Sequence, residues 1–386
     1  MIETAFTYLT VLIFIASLLV YLEHKTHTKL FEYLPPIVIL YFSVMSLSTL
    51  GLWQSTDAIK ESYNAFKSNL LPAMIFLMLL QADIRKILKL GRKILLTFFL
   101  ASLSISLGFI IMFALMHHFF DPEAWKAFGA LSGSWMGGMG NMVAIQNALV
   151  LPDSQMGYVL LIDSIDYAVW VMILLALVPF APKFNRWSRS DASILDSLTT
   201  KLDQSNDNKP IDFVSLFMML GLSLMISVLT QQLAMLLPMS NFLTPATWVV
   251  ILATLAGIFF GMTPLSRNAS ASPIANIMLY LIVALIASRA DFKELAEAPI
   301  YIVSGFMIIL IHALFMVLFS KLFRLDLFSI GVASLANIGG VASAPILAGA
   351  YHRALIPIGV LMAMMGYIIG TFVGLGVAHI LRIIAS

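Results

Sequence analysis

Apolar runs of bilayer length follow one another along nearly the whole chain of 386 residues. They lie at about 4–22, 33–51, 69–81, 94–119, 127–150, 156–181, 211–237, 246–263, 274–288, 299–320, 327–350 and 355–381. A helix needs about 20 apolar residues to cross a bilayer, so most of these runs are long enough. They are continuous rather than alternating, which excludes β-barrel spans. Only 11% of the residues are charged, against about 25% in soluble domains. Too little charge is present to coat a water-facing surface, so the chain reads as an all-α polytopic membrane protein whose solvent is the lipid bilayer. The first run has Glu3 before it and Lys25 and Lys29 after it. A signal peptide has the opposite flanks, so this run reads as a retained span. The net charge of +2 points to no nucleic-acid partner. The absence of cysteine excludes disulfides, thiolate metal sites and cysteine nucleophiles.

Two stretches interrupt the apolar pattern. Trp53 to Asn64 reads as soluble, and the short run at 69–81 is expected to continue into the amphipathic stretch Ala82–Leu90. The other stretch is a polar linker, 182–210, that divides the chain nearly in half. The halves look like copies. Ala82-Asp83-Ile84-Arg85 is matched by Ala290-Asp291-Phe292-Lys293. A glycine-rich segment with Ser132, Ser134, Gly137, Gly138, Gly140 and Asn141 is matched, without a gap, by one with Ser334, Asn337, Gly339, Gly340 and Ser343. Tyr167 and Tyr367 follow in matching places. The expected organisation is a first transmembrane repeat at 1–181, a linker at 182–210 and a second repeat at 211–386.

Charge decides how the copies are oriented, because basic loops stay cytoplasmic. If all twelve runs cross, the basic residues divide 10 against 12 between the two sides. If the two glycine-rich segments dip in and return, they divide 16 against 6. The re-entrant arrangement satisfies the rule. It leaves about five spans per repeat plus one glycine-rich broken or re-entrant element. Five is odd, so the repeats are inverted, with the linker cytoplasmic and both termini outside.

Irregular backbone at membrane depth is tolerated where it is buried in protein or lines a cavity. A broken helix leaves N–H groups at one tip, which suit an anion, and carbonyls at another, which suit a cation. Ser132, Ser134, Gly137, Gly138 and Gly140 therefore read as one half of a substrate site, and Ser334, Gly339, Gly340 and Ser343 as the other. The bland reading is that small residues simply allow close helix packing. Asp163 and Asp166 lie three apart in an apolar run, on one helical face. Acids at such depth usually serve an ion or proton path. Their counterparts are Ala363 and Gly366, so the acids occur in one half only. Asp163 and Asp166, with Asn141 and Asn337, are the expected ion-coupling groups. The two acids are the expected ligands of a metal ion such as Na⁺, or they share one proton. The opposing reading places both acids near the interface, hydrated. His312, alone in its run, reads as a packing or hydrogen-bonding residue. Gln146, Asn147, Gln231 and Gln232 either line a path or lie at span ends.

The segment Ser132-Gly-Ser-Trp-Met-Gly-Gly138, the helix with Asp163, Tyr167 and Trp170, and Ala336-Asn-Ile-Gly-Gly340 with Gly366-Tyr367 resemble the YjcL-like bacterial membrane proteins, a family of unknown function. Through its glycine pairs and inverted halves the chain also resembles the cation/proton antiporter and anion transporter superfamily, which includes sodium/bile acid, citrate and glutamate symporters. That resemblance implies a scaffold or dimerisation domain, a moving core domain, a homodimer and a bacterial inner-membrane location. It also implies broken elements that cross rather than turn back. The chain lacks the adjacent acid pair of the sodium/proton antiporters.

The expected function is secondary active transport, a symport of a small organic solute, an anion among the candidates, with Na⁺ or H⁺ by alternating access and no other cofactor. The alternative is a cation/proton exchanger without an organic substrate. A channel or an intramembrane hydrolase ranks below both. Both acids lie on one helix, Ser134 has no histidine near it in sequence, and no Gly-x-Ser-x-Gly turn is present, so no enzyme is expected.

Overall fold

Capping side chains mark where several apolar runs become helices. Thr56, Asp212, Thr244 and Asp326 each accept a backbone N–H three residues on. Such caps satisfy donors that a helix start leaves unpaired. The computed structural model describes residues 1–26, 36–82, 84–190, 211–240, 243–290, 298–352 and 355–386. Among these residues the protein is helical, apart from one isolated bridge between Ile2 and Trp53.

The first half holds α1 (Ala5–Thr26), α2 (Pro36–Thr49), α3 (Asp57–Leu80), α4 (Ile84–Leu88), α5 (Arg92–Met116), α6 (Ala124–Gly137), α7 (Met139–Ala148) and α8 (Met156–Leu177). A short helix, α9 (Ala181–Ser188), opens the linker. The second half holds α10 (Phe213–Ala234), α11 (Pro245–Gly261), α12 (Ala271–Ala287), α13 (Ala298–Phe323), α14 (Leu327–Ile338), α15 (Gly340–Tyr351) and α16 (Ile356–Ala385). Among the described residues, seven helical segments are long and apolar enough to cross a membrane, and α2, α11, α12, α14 and α15 are shorter apolar helices. Large apolar side chains such as Phe213 and Phe217 on α10, and Leu310 and Leu314 on α13, face outward uncovered, as lipid as solvent requires.

The order of elements in the first half, α4 apart, recurs in the second: three helices, a fourth, a pair of short helices, and a last long one. Packing draws on both halves. α3 packs against α10, α11 and α12, whereas α16 packs along α5, α6, α14 and α15, and α13 lies on α5 and α8.

The span expected at 69–81 extends the other way. α3 begins at Asp57, takes in most of the stretch read as soluble, and ends at Leu80, while Ile84–Leu88 forms a separate helix. Thr56 caps the start, and Ile59 and Tyr63 bury one face of the first turns, which overrides the polar composition there. Asp83, the stretch 291–297, Arg353 and linker residues 191–210 lie outside the described residues.

Candidate functional site

The two glycine-rich segments turn back on themselves. In the first, α6 ends at Gly137 and α7 starts at Met139. A β-carbon at Gly129 would lie 2.9 Å from Leu149, and one at Gly133 would run into Ile145, so α7 returns alongside α6. In the second, a β-carbon at Gly331 of α14 would lie 3.3 Å from Leu347 of α15, again a hairpin. The resemblance implied elements that run on across the break; here both fold back as hairpins. The second glycine of each pair makes the turn, with φ of 83° at Gly138 and 58° at Gly340. Side chains rarely adopt such angles, and glycine does so freely.

The two tips meet on α16. A β-carbon at Gly366 would lie 3.0 Å from the Met136 carbonyl oxygen and 3.4 Å from that of Ala336. At Gly370 it would lie 2.6 Å from Gly137 Cα, and at Gly374 3.0 Å from Gly133 Cα. Glycines four apart thus bring α16 against the bare backbone of α6, the packing that small residues allow between membrane helices. The tips also exchange tyrosines. Tyr167 of α8 lies against Gly339, and Tyr367 of α16 lies 3.4 Å from the β-position of Gly138.

Asn141 bridges the first break. Its Nδ2 donates to the Gly137 carbonyl at 2.7 Å, and its Oδ1 accepts from Thr371 at 2.7 Å. Asn337 donates to the Ala333 carbonyl at 2.9 Å and accepts from Ser102 at 2.7 Å. Both amides are buried and support the tips.

Asp163 and Asp166 meet different neighbours. Asp163 is buried, and its Oδ1 accepts from the Ser134 hydroxyl and the Trp135 indole, each at 3.0 Å. Its partners therefore lie on α6, just before the tip. Asp166 is 0% exposed and neither of its oxygens has a hydrogen-bond partner. It faces Gly305 of α13, where a β-carbon would run into Oδ2. Among the described residues, no group of three or more His, Cys, Asp or Glu side chains gathers around either acid.

Ser334 belongs to a buried chain of hydrogen bonds. Trp170 Nε1 donates to Ser334 Oγ at 2.8 Å, His312 Nε2 lies 2.8 Å from the same oxygen, and His312 Nδ1 lies 2.7 Å from Ser104 Oγ. Ser104 donates to the Ala101 carbonyl. One arrangement of protons satisfies every member: Ser334 donates to Nε2, and Nδ1–H donates to Ser104. His312 is then neutral. Ser132 is turned away from the tips, toward the carbonyls of Gly129 at 2.7 Å and Gly374 at 3.4 Å. Gly140 faces Met78 of α3, and Ser343 lies against Gly339.

A second polar cluster, absent from the expected site, centres on Asp153. Its carboxylate accepts from Lys67 at 2.7 Å, from Gln146 at 2.8 Å and from Tyr63. A cavity of about 790 Å³ opens beside it, lined by these residues and by Arg289. Gln146 is one of the four amides left open by sequence. Gln231 instead pairs with α3, at the Ser68 carbonyl and Asn69. Gly366 stood out in sequence only as the counterpart of Asp166 and beside Tyr367, and none of Gly370, Gly374, Gly305, Thr371 or Ser102 stood out.

A family model described as a protein of unknown function, DUF819, matches residues 10–384. The uncharacterized membrane protein YjcL of Bacillus subtilis (strain 168) is 25% identical over 326 residues, covering 81% of this chain and 82% of that protein.

Proposed function

The chain belongs to the DUF819 family, and from that premise we propose that it is a secondary active transporter, carrying a small organic solute with Na⁺ or H⁺ by alternating access. One observation carries this reading: two glycine-tipped hairpins, one from each half, meet at Gly366. Ending a helix inside a membrane leaves polar backbone that needs partners, and transporters use such tips for solute and ion. The first tip lies beside the buried acid Asp163 and meets the second on α16, which gathers donors, carbonyls and an acid in one region.

The same reading takes 1–181 and 211–386 as inverted repeats. The helices around α3 form its scaffold, and those around α16 form its moving core. The mixing of both halves in each packing group supports this division. The distribution of basic residues supports a cytoplasmic linker and outside termini in a bacterial inner membrane. A homodimer is part of this reading. An anionic solute would find Lys67 and Arg289 beside the cavity at Asp153.

A cation/proton exchanger without an organic substrate is the second reading, favoured by the partnerless Asp166. Hydrolysis has less support. Ser334 does approach a histidine, but it lies within α14, its oxygen occupied by Trp170.

Proteoliposomes holding a pH-sensitive dye test the proposal. Small carboxylates and amino acids are added outside, with Na⁺ or K⁺. A solute that changes internal pH or requires Na⁺ for uptake, only when the protein is present, supports a coupled transporter. Cation-driven pH change that no solute alters supports the exchanger. No flux of either kind sinks both.

A further inference from the structure

Asp166 and Asp163 are one helical turn apart, yet only one of them is provided with donors. Asp163 accepts two hydrogen bonds, from Ser134 and Trp135. Donors of that kind suit a charged acceptor. Asp166 is fully enclosed and has none. Its carboxyl occupies a notch in α13 that exists because residue 305 is glycine, with Ile162 forming a further wall. An ionised carboxylate enclosed without donors costs far more than a neutral acid with an unpaired hydroxyl. A sodium ion in the same place would draw on hydroxyl, carboxylate or unwound backbone carbonyl oxygens, and α8 and α13 are both unbroken around the notch. No hydroxyl hydrogen-bonds to Asp166, and no acidic cluster surrounds it among the described residues.

The surrounding groups leave the notch electrically simple. On α8 the neighbouring acid is Asp163, one turn away and turned toward α6; two carboxylates this close resist ionising together. On α13, Ser304 donates to the Ile300 carbonyl, Tyr301 is stacked on Tyr158, and His312 is held between Ser104 and Ser334. On α6, Ser134 and Trp135 are engaged by Asp163. From the second hairpin, Ser343 and Gly339 meet Tyr167, the residue after Asp166.

We infer that Asp166, seated in the Gly305 notch between α8 and α13, carries the coupling proton, so that the coupling ion is H⁺. This rests on the transporter reading. Asp166 takes a proton from water on one side and returns it to water on the other, and no co-reactant is involved. Release to water requires α8 and α13 to part, because both carboxyl oxygens of Asp166 are enclosed. Proton transfer is thereby tied to movement of the helix that also carries Asp163.

Infrared spectroscopy of the full chain reconstituted in lipid tests this directly. The wild-type protein is expected to show the carbonyl stretch of a protonated carboxyl group, bleaching as pH is raised. Asp166→Asn is expected to lose the band, and Asp163→Asn to keep it. Gly305→Ala, which retains the acid but fills the notch, is expected to shift the band, and covers the case in which Asp166→Asn fails to fold. A band that survives in Asp166→Asn, that is missing from the wild type at every pH, or that Na⁺ bleaches at constant pH overturns the proposal. Solute uptake driven by Na⁺ without proton flux also overturns it and leaves the transporter reading intact. The expected band without any solute-linked flux removes the transporter reading and leaves the protonated site standing.

Discussion

Met136 and Ala336, in the last turns before two different hairpin tips, turn their carbonyl oxygens toward one point on α16, 3.0 and 3.4 Å from where a side chain at Gly366 would begin. Both contacts are with backbone, which has no flexible end to swing aside. Gly366→Ala should therefore drive the tips apart. Overpacking of this kind costs about 1–3 kcal/mol. The expected result is a lower melting temperature of the purified protein together with loss of transport in vesicles. An unchanged melting temperature would show that the tips have slack.

The turning glycines should differ in tolerance. Gly138 has φ 83° and ψ 176°, a region essentially reserved for glycine. Gly340 has φ 58° and open space around its β-position. Asparagine tolerates the left-handed region better than other side chains. Gly138→Ala should cost about 1–3 kcal/mol, and Gly340→Asn should be nearly silent in the same thermal unfolding assay. The opposite ranking would contradict the turn geometry.

Ser334 joins two groups that have no other described hydrogen-bond partner at those atoms. Ser334→Ala leaves Trp170 Nε1 and His312 Nε2 buried and unpaired. Each such loss costs about 1–3 kcal/mol. Thermal unfolding should show the loss, and the tryptophan emission should shift. Substituting Ser104 and Ser334 together should give a non-additive result, because His312 couples them. Simple additivity would mean that the histidine does not transmit between them.

Asp153 holds α3 to the segment between α7 and α8. Its side chain and that of Lys67 are 13% and 14% exposed. Removing one partner of a fully buried pair costs about 3–5 kcal/mol, whereas exposed pairs contribute about 0–1 kcal/mol. This part-buried pair lies between, so Asp153→Ala should destabilise measurably, and Asp153→Ala with Lys67→Met should recover part of the loss. Melting temperatures of the two variants at low and high salt decide this. A strong salt dependence would show an exposed pair.

Much of the fold was legible because membrane helices announce themselves by length and apolar composition. The hairpins were legible from the paired glycines, because the second glycine of each pair takes the positive φ of the turn. The extension of α3 was not, because Lys60 and Glu61 read as soluble until Ile59 and Tyr63 are known to find a surface to cover. Nor was the separation of the two acids. A spacing of three places them on one face of an isolated helix. Which neighbour each meets depends on where α6 and α13 lie, and periodicity does not carry that. The Asp153 cluster joins residues about 90 positions apart and left no local pattern.

The glycine ridge on α16 has a mechanical consequence. Interlocking side chains act as teeth that index one helix to another at a single register. Gly366, Gly370 and Gly374 present no teeth to α6. What fixes the register includes hydrogen bonds, from Thr371 to Asn141 and from Ser132 to the Gly374 carbonyl. Such bonds act as detents rather than gears: they set the position through a few directed contacts. The first hairpin therefore rests on a smooth rail.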